Sequence, residues 1–238
     1  MYSVVIPTMW NCSFFPEFLA DLLEFPAVGQ VIVINNNIEK MPANLPMTHP
    51  KFKMMVFGTN IGVNPAWNIG VRESTYDKVC IANDDVVFDS KIFNRVDTVL
   101  NPDSGVVGIC PGVKEFNQPP FEAGIGRVIP WTGQHTYGFG CLMFVHKSWY
   151  RPVPDGLKIY YGDNWIFDTC LLVKRTNYLV TDTFFYTPFA TTTGKLTNVG
   201  ELHQLEQPIY NQAIADFRNE IKENQELEKI KSRVYNML

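Results

Sequence analysis

Tyr76-Asp77-Lys78-Val79-Cys80-Ile81-Ala82-Asn83-Asp84-Asp85 is an apolar run that ends abruptly in one amide and two carboxylates. Val79 to Ala82 has the continuous apolar character of a strand buried on both faces, whereas a strand with one wet face alternates. The same arrangement occurs twice upstream. Ser3-Val4-Val5-Ile6-Pro7 ends at Thr8, and Val28 opens a run through Val31-Ile32-Val33-Ile34 that stops at Asn35-Asn36-Asn37. Between these two runs, Phe14, Phe15, Phe18, Leu19, Leu22 and Leu23 recur at the spacing of one helical face. Lys51 to Phe57 reads as a third strand. A turn, Gly58-Thr59-Asn60-Ile61-Gly62, follows it, then a helix starting near Pro65, because proline suits a first helical position. Strands alternating with helices predict an α/β fold with a mainly parallel central sheet flanked by helices. Ligands of such sheets sit beyond the carboxyl ends of the strands, where Thr8, Asn35 to Asn37 and Asn83 to Asp85 all fall.

Composition limits the classes open to the chain. Of 238 residues, 46% are hydrophobic and 18% charged, enough apolar material to close a core and the opposite of a disordered composition. No window approaches the roughly 18 consecutive apolar residues of a membrane span. The start, Met1-Tyr2-Ser3-Val4, lacks the basic residues and long apolar stretch of a signal peptide, so a cytoplasmic protein is expected. The five cysteines (Cys12, Cys80, Cys110, Cys141, Cys170) are odd in number and scattered, which predicts reduced, buried thiols rather than disulfides or a zinc knuckle. The net charge is −4, so a nucleic-acid binder that relies on overall charge is excluded. A local cluster of Arg127, His135, Lys147 and Arg151 is the one basic feature that DNA could use.

The second half changes character. Pro102 to Pro154 is rich in Gly and Pro and has strand candidates at Gly105 to Cys110 and Gly140 to Val145. Between them, Gln118 to His135 reads as a long loop, and loops of that length are usually functional. From His203 onward, Ile209, Ala213, Phe217, Ile221, Leu227, Ile230, Val234 and Leu238 predict one or two amphipathic helices packed on the domain.

Several of these residues suggest chemistry. Carboxylates at a strand end with no basic residue nearby suit a divalent cation with oxygen ligands and a diphosphate. Such a cation stabilises a leaving phosphate as a Lewis acid. A turn in which Asp caps the following helix is the structural alternative. Asn60 and Asn68 flank the start of a helix whose free N–H groups could face a phosphate, and Gly62 and Gly70 allow tight turns or close packing. Tyr137-Gly138-Phe139-Gly140 is not a dinucleotide fingerprint, since Met143 stands where the third glycine would be. Trp131, His135, Tyr137 and Trp165 could stack on a sugar or a base, or lie in the core.

Four of these elements, in this order, are those of a known family. Val4-Val5-Ile6-Pro7-Thr8, Val31 to Asn37, Asn60-Ile61-Gly62 through Asn68-Ile69-Gly70, and Asn83-Asp84-Asp85 resemble the family-2-like glycosyltransferases of the GT-A fold over roughly residues 2 to 175. The resemblance implies a donor half at about 1–100, an acceptor half at about 101–202 and a helical extension over 203–238. It implies an inverting sugar transfer from a nucleotide-diphosphate donor, a UDP-sugar, with Mn2+ or Mg2+. The donor would lie across Pro7, Thr8, Asn35, Asn37, Asn60, Gly62, Asn68, Asn83 and Asp84. Asp85 would bind the metal, with His203 as a late metal ligand, and Asp163 would be the general base, with Asp168 as the other candidate. Trp131, Tyr137, Gly138 and Trp165 would line the acceptor side. The chain departs from the family at Asn35, where an Asp is usual, and at Asn83 and Asn164. An acceptor hydroxyl could belong to a saccharide or to a modified base of phage DNA. A noncatalytic nucleotide- or carbohydrate-binding module on the same scaffold is the alternative those Asn residues suggest. A nucleotidyltransferase would carry a basic Gly-rich loop where this chain has Pro7-Thr8-Met9-Trp10-Asn11.

Overall fold

β1 (Tyr2–Thr8) and β2 (Val28–Asn35) pair in parallel, with Thr8 opposite Asn35, so both strands end at the same level. β3 (Phe52–Val56) adds to the far side of β2 and β4 (Lys78–Ala82) to the far side of β1, both parallel. This structure is a computed structural model that describes residues 1–109, 127–136, 138–181, 183, 185–188 and 199–235, with backbone alone at Val199 and residues 229–235.

Both faces of these strands are covered, which is why their sequences do not alternate. Val4, Ile6, Val31, Val33 and Cys80 join a core with α1 (Phe15–Glu24) and α3 (Lys91–Val96). Val5, Ile32, Ile34, Val79 and Ile81 join a second core with α2 (Val63–Glu73), α4 (Gly162–Leu172) and α5 (Val199–Tyr235). The four described cysteines other than Cys110 are free and buried, and Cys110 lies outside the described residues. Among the described residues no helix is long and apolar enough to cross a membrane.

The parallel pattern stops at β4. β8 (Leu142–His146) is antiparallel to β4, β6 (Val107–Ile109) is antiparallel to β8, β9 (Asn177–Thr181) is parallel to β6, and β7 (Arg127–Trp131) closes the edge antiparallel to β9. Strand order among the described residues is β3-β2-β1-β4-β8-β6-β9-β7, so the expectation of a mainly parallel sheet holds for the first four strands and the remainder is mixed. β7 also falls inside the stretch expected to be a loop. Its Pro130 is compatible with a strand because β7 is an edge, where a missing N–H is tolerated. A short ribbon pairs β5 (Val87–Phe88) with β10 (Phe185–Tyr186).

Of the two expected helix starts, the one near Pro65 holds and the one at His203 falls earlier. α2 begins at Val63, ahead of Pro65, because Gly62 adopts φ +91° and turns the chain into the helix. α5 begins at Val199 and runs as one helix through Pro208, docking Ile214 and Phe217 into the second core.

Gly70 explains how closely α2 lies on the sheet. A Cβ there would sit 2.1 Å from Val5 Cγ1, in the middle of β1. Gly70→Ala therefore overpacks the core and should cost about 1–3 kcal/mol, read as a lower urea midpoint with an unchanged m-value.

Candidate active site

Strand order reverses between β1 and β4: β2 and β3 extend one way from β1, and β4 the other. Open α/β sheets bind ligands at such a switch point. The side chains at this point are bonded to one another. Thr8 Oγ1 donates to Asp84 Oδ2 at 2.6 Å, joining the end of β1 to the turn after β4. Thr8 Oγ1 also accepts from the Trp10 N–H, which folds the chain back over the strand end with Trp10 at φ +56°. Asp84 and Asp85 are both buried. Burial pushes the Asp84 carboxyl up to about 6 despite the Thr8 bond, with the Asp85 charge adding to the rise.

Asn35 is fully buried at the end of β2. Its Oδ1 accepts from Trp10 Nε1–H at 3.0 Å and from the Asn37 N–H at 2.9 Å. Both partners can only donate, so they fix the amide orientation and leave Nδ2, which has no hydrogen-bond partner among the described residues. Asn35 is therefore a donor toward anything else that reaches it, where the Asp usual in the resembling family would accept.

The Asn60 to Asn68 element divides into two parts. Asn60 Oδ1 accepts from the Gly62 N–H at 2.9 Å, and Asn36 ties to the same turn through the Ile61 N–H and the Gly62 carbonyl. Gly62 has no room for a side chain, since a Cβ would meet Lys158 O at 2.6 Å. Asn68 is different. Its Nδ2 donates to Val153 O, and its Oδ1 accepts from the Val153 N–H and the Tyr150 hydroxyl. Asn68 thus stitches α2 to the 150–153 segment, and its amide is committed there rather than offered to a ligand.

Across the strand ends lies the start of α4. Asp163 occupies the first turn of that helix, after Tyr161 in the left-handed region (φ +61°). Asp163 Oδ1 accepts from the Asn164 N–H at 3.0 Å, and its Oδ2 is 3.0 Å from His135 Nε2. Burial raises the Asp163 carboxyl most strongly, but the His135 contact and the Asn164 and Asp163 backbone N–H groups together hold it below the ordinary carboxylate range. Cys141 lies near both acidic sites. Burial pushes its thiol up to about 12, and the charges of Asp85 and Asp163 both add to that rise. Asn83 N–H donates to the Cys141 carbonyl at 3.0 Å, which ties the turn after β4 to the Phe139–Cys141 turn.

The remaining candidates divide between surface and core. Gly138 sits at φ +76°, at the head of that turn. Trp131 is half-buried on β7 and donates its indole N–H to the Gln134 carbonyl. Trp165, expected on the acceptor side, is buried, packs on Phe217 and donates toward Arg151 O. A helix whose face must cover the sheet buries its aromatic residues, and Trp165 lies on that face. Tyr137 lies outside the described residues. Asp168 accepts from the Tyr210 hydroxyl and so anchors α5. His203 stands on α5 with Tyr161 Oη 2.9 Å from its Nε2. Of the basic cluster, His135 faces Asp163, Lys147 donates to Arg72 O and Ser74 O, and Arg151 lies over Phe217 near Glu220.

Among the described residues no three His, Cys, Asp or Glu side chains gather closely enough to hold a metal by themselves. The adjacent carboxylates of Asp84 and Asp85 are hard oxygen donors, and they fit a divalent cation whose other ligands come from a diphosphate.

No family model matches the chain, and no curated protein sequence matches it. Solved structures do. S. aureus TarS 1-349 in complex with UDP superposes with a TM-score of 0.57 at 16% identity, covering 78% of this chain and 60% of that one. The complex of the same fragment with UDP-GlcNAc gives 0.53 at 14% identity, covering 91% and 71%. Full TarS gives 0.57 at 16% identity, with this chain spanning 36% of its length. At this identity the likeness concerns the architecture, and the chain has the GT-A fold.

Proposed function

We propose that the protein is a glycosyltransferase that moves a sugar from a nucleotide-diphosphate donor to a hydroxyl acceptor with inversion. One observation carries the reading. The polar strand ends of β1, β2 and β4 converge at the switch point, and the charges of both Asp85 and Asp163 act on the Cys141 thiol beside it. The fold shared with TarS, which is solved with UDP and with UDP-GlcNAc, supports a uridine donor. In this reading Pro7, Thr8 and Asn35 meet the nucleoside, with Asn35 Nδ2 donating to a carbonyl of the base. The turn held by Asn60 and Gly62 backs the donor, and Asn37, Asn83 and Asp84 line it.

Asp85 would hold Mn2+ or Mg2+, with His203 as a second ligand from α5. Bound there, the cation supplies Lewis-acid neutralisation of the leaving diphosphate. Asp163 takes the proton of the acceptor hydroxyl as its oxygen bonds to the anomeric carbon. The anomeric C–O bond to the diphosphate breaks, and its electron pair departs with the phosphate oxygen. Trp131, Gly138 and Tyr137 would border the acceptor, which is a saccharide hydroxyl or a hydroxyl on a modified DNA base.

A thermal-shift screen of UDP-, GDP-, TDP- and CDP-sugars tests this, each with manganese and with EDTA. A ligand bound only by the native state stabilises it by about 2.7 kcal/mol at a hundredfold excess over its dissociation constant. A manganese-dependent shift with UDP-sugars is the expected result. Silence from all four would leave a noncatalytic scaffold, and the Asp85 metal assignment would fall first.

A further inference from the structure

We infer that His135 is the positioning partner of Asp163, a role that rests on Asp163 being the base. Its Nε2 lies 3.0 Å from Asp163 Oδ2 in an ion-pair contact, and that nitrogen has no hydrogen-bond partner among the described residues. The imidazole cannot swing away freely. Its ring is 5.2 Å from Phe139 and 5.5 Å from Phe167, the latter edge to face at 89°. Asp163 is confined as well. A Cβ on Gly140 would lie 2.6 Å from Asp163 Oδ2, so the missing side chain lets the Phe139–Cys141 turn close on the carboxylate. The Asn164 N–H holds Oδ1.

Three directions are therefore fixed, and the carboxylate still keeps 24% of its side-chain surface open. A base oriented this way offers its remaining lone pairs in one direction, and an acceptor hydroxyl needs that alignment. A wall built only for packing would be served by an apolar residue between Phe139 and Phe167. The polar atom of His135 is instead turned onto the reactive carboxylate. Among the described residues, the Cys141 thiol and the Tyr210 hydroxyl are the other titratable groups on which the Asp163 charge acts, and the Asp85 charge also acts on Cys141.

Burial opposes ionisation of Asp163, and among the groups that favour it the His135 contact is the largest. Removing His135 should therefore raise the Asp163 pKa, which moves the acid limb of the rate profile to higher pH. The test uses the full chain labelled at the Asp carboxyl carbon, with the Asp163 signal assigned from Asp163→Asn. His135→Leu should raise the apparent pKa of that carboxyl by about one unit or more. His135→Gln keeps a donor in the same place and should leave it near the native value. An unmoved Asp163 in His135→Leu overturns the inference. The pH profile of UDP-GlcNAc hydrolysis with manganese provides the functional counterpart. There the acid limb should shift in His135→Leu and not in His135→Gln. If Asp163→Asn hydrolyses the donor at the native rate, the base assignment itself fails. If Asp163→Asn is dead and the His135→Leu limb is unmoved, only the His135 role fails.

Discussion

Asp163→Asn should lower sugar transfer by about 10²–10⁴-fold, the range that a positioned general base contributes. The substitution is isosteric, so the α4 start, with its Asn164 N–H bond to Oδ1 and the neighbouring His135 ring, keeps its shape. The melting temperature should stay within a few degrees of native. The donor should bind unchanged, because Asp163 acts on the acceptor, and the manganese-dependent thermal shift should survive. Asp85→Ala should also lose transfer, but with the manganese dependence of the donor shift lost as well. Rates measured at saturating donor, together with the two thermal shifts, separate these effects. Native turnover by Asp163→Asn would sink the assignment of the base.

The geometry also favours Asp163 over the nearby alternative. Asp168 is five positions further along α4, where its carboxylate takes the Tyr210 hydroxyl of α5. A carboxylate occupied in that way holds a helix in place. Asp163 instead lies against the Phe139–Cys141 turn, beside the thiol that also senses Asp85.

The first half of this fold is legible in the sequence because its strands are buried on both sides. Val31 to Ile34 alternates between two cores, and both demand apolar residues, so the run is unbroken until it reaches the polar edge at Asn35. The second half is harder to read. Leu142 to His146 gives the same apolar signal in an antiparallel strand as it would in a parallel one. β7 hides in a Gly/Pro-rich segment, since only pairing with β9 makes Arg127 to Trp131 a strand.

Side-chain partnerships were less legible than strands. Asn68 has the spacing of a ligand-binding residue, and its commitment to Val153 spans 85 positions of sequence. His135 and Asp163 are likewise brought together only by the turn after β7 and the start of α4. Glu206 did carry a signal. It lies four, seven and eleven residues before Tyr210, Ala213 and Phe217, on the stripe that packs against the domain. A carboxylate on an apolar stripe is costly unless it is paired, so its presence there points to a buried set of donors.

Those donors are backbone groups, and they make Glu206 a latch that holds α5 to the 158–160 segment. Its carboxylate is 4% exposed and accepts from the N–H groups of Lys158, Ile159 and Tyr160 at 2.8–3.2 Å. Three consecutive N–H groups converging on one anion form a nest, here filled by a side chain of the same chain. Hydrogen bonds to a charged group contribute about 1.5–3 kcal/mol each, but these share one acceptor in a partly wet loop, so Glu206→Ala should cost about 2–4 kcal/mol in total. For a chain of this size each kcal/mol shifts the melting temperature by about 2–4 °C. Glu206→Gln keeps one acceptor oxygen and should lose roughly half as much. Hydrogen exchange gives the local readout: the amides of 158–160 and the first turns of α5 should lose protection, while β1, β2 and β4 keep theirs. The loss should also reach the chemistry. Lys158 O backs Gly62 and accepts the Asn64 N–H, and Tyr160 O accepts from Asn64 Nδ2, so the 158–160 segment links the donor-side turn to the start of α4. Releasing it should loosen Tyr161 and the Asp163 that follows, lowering transfer in Glu206→Ala more than the folded fraction alone accounts for. A variant that melts at the native temperature with native exchange at 158–160 would refute the latch.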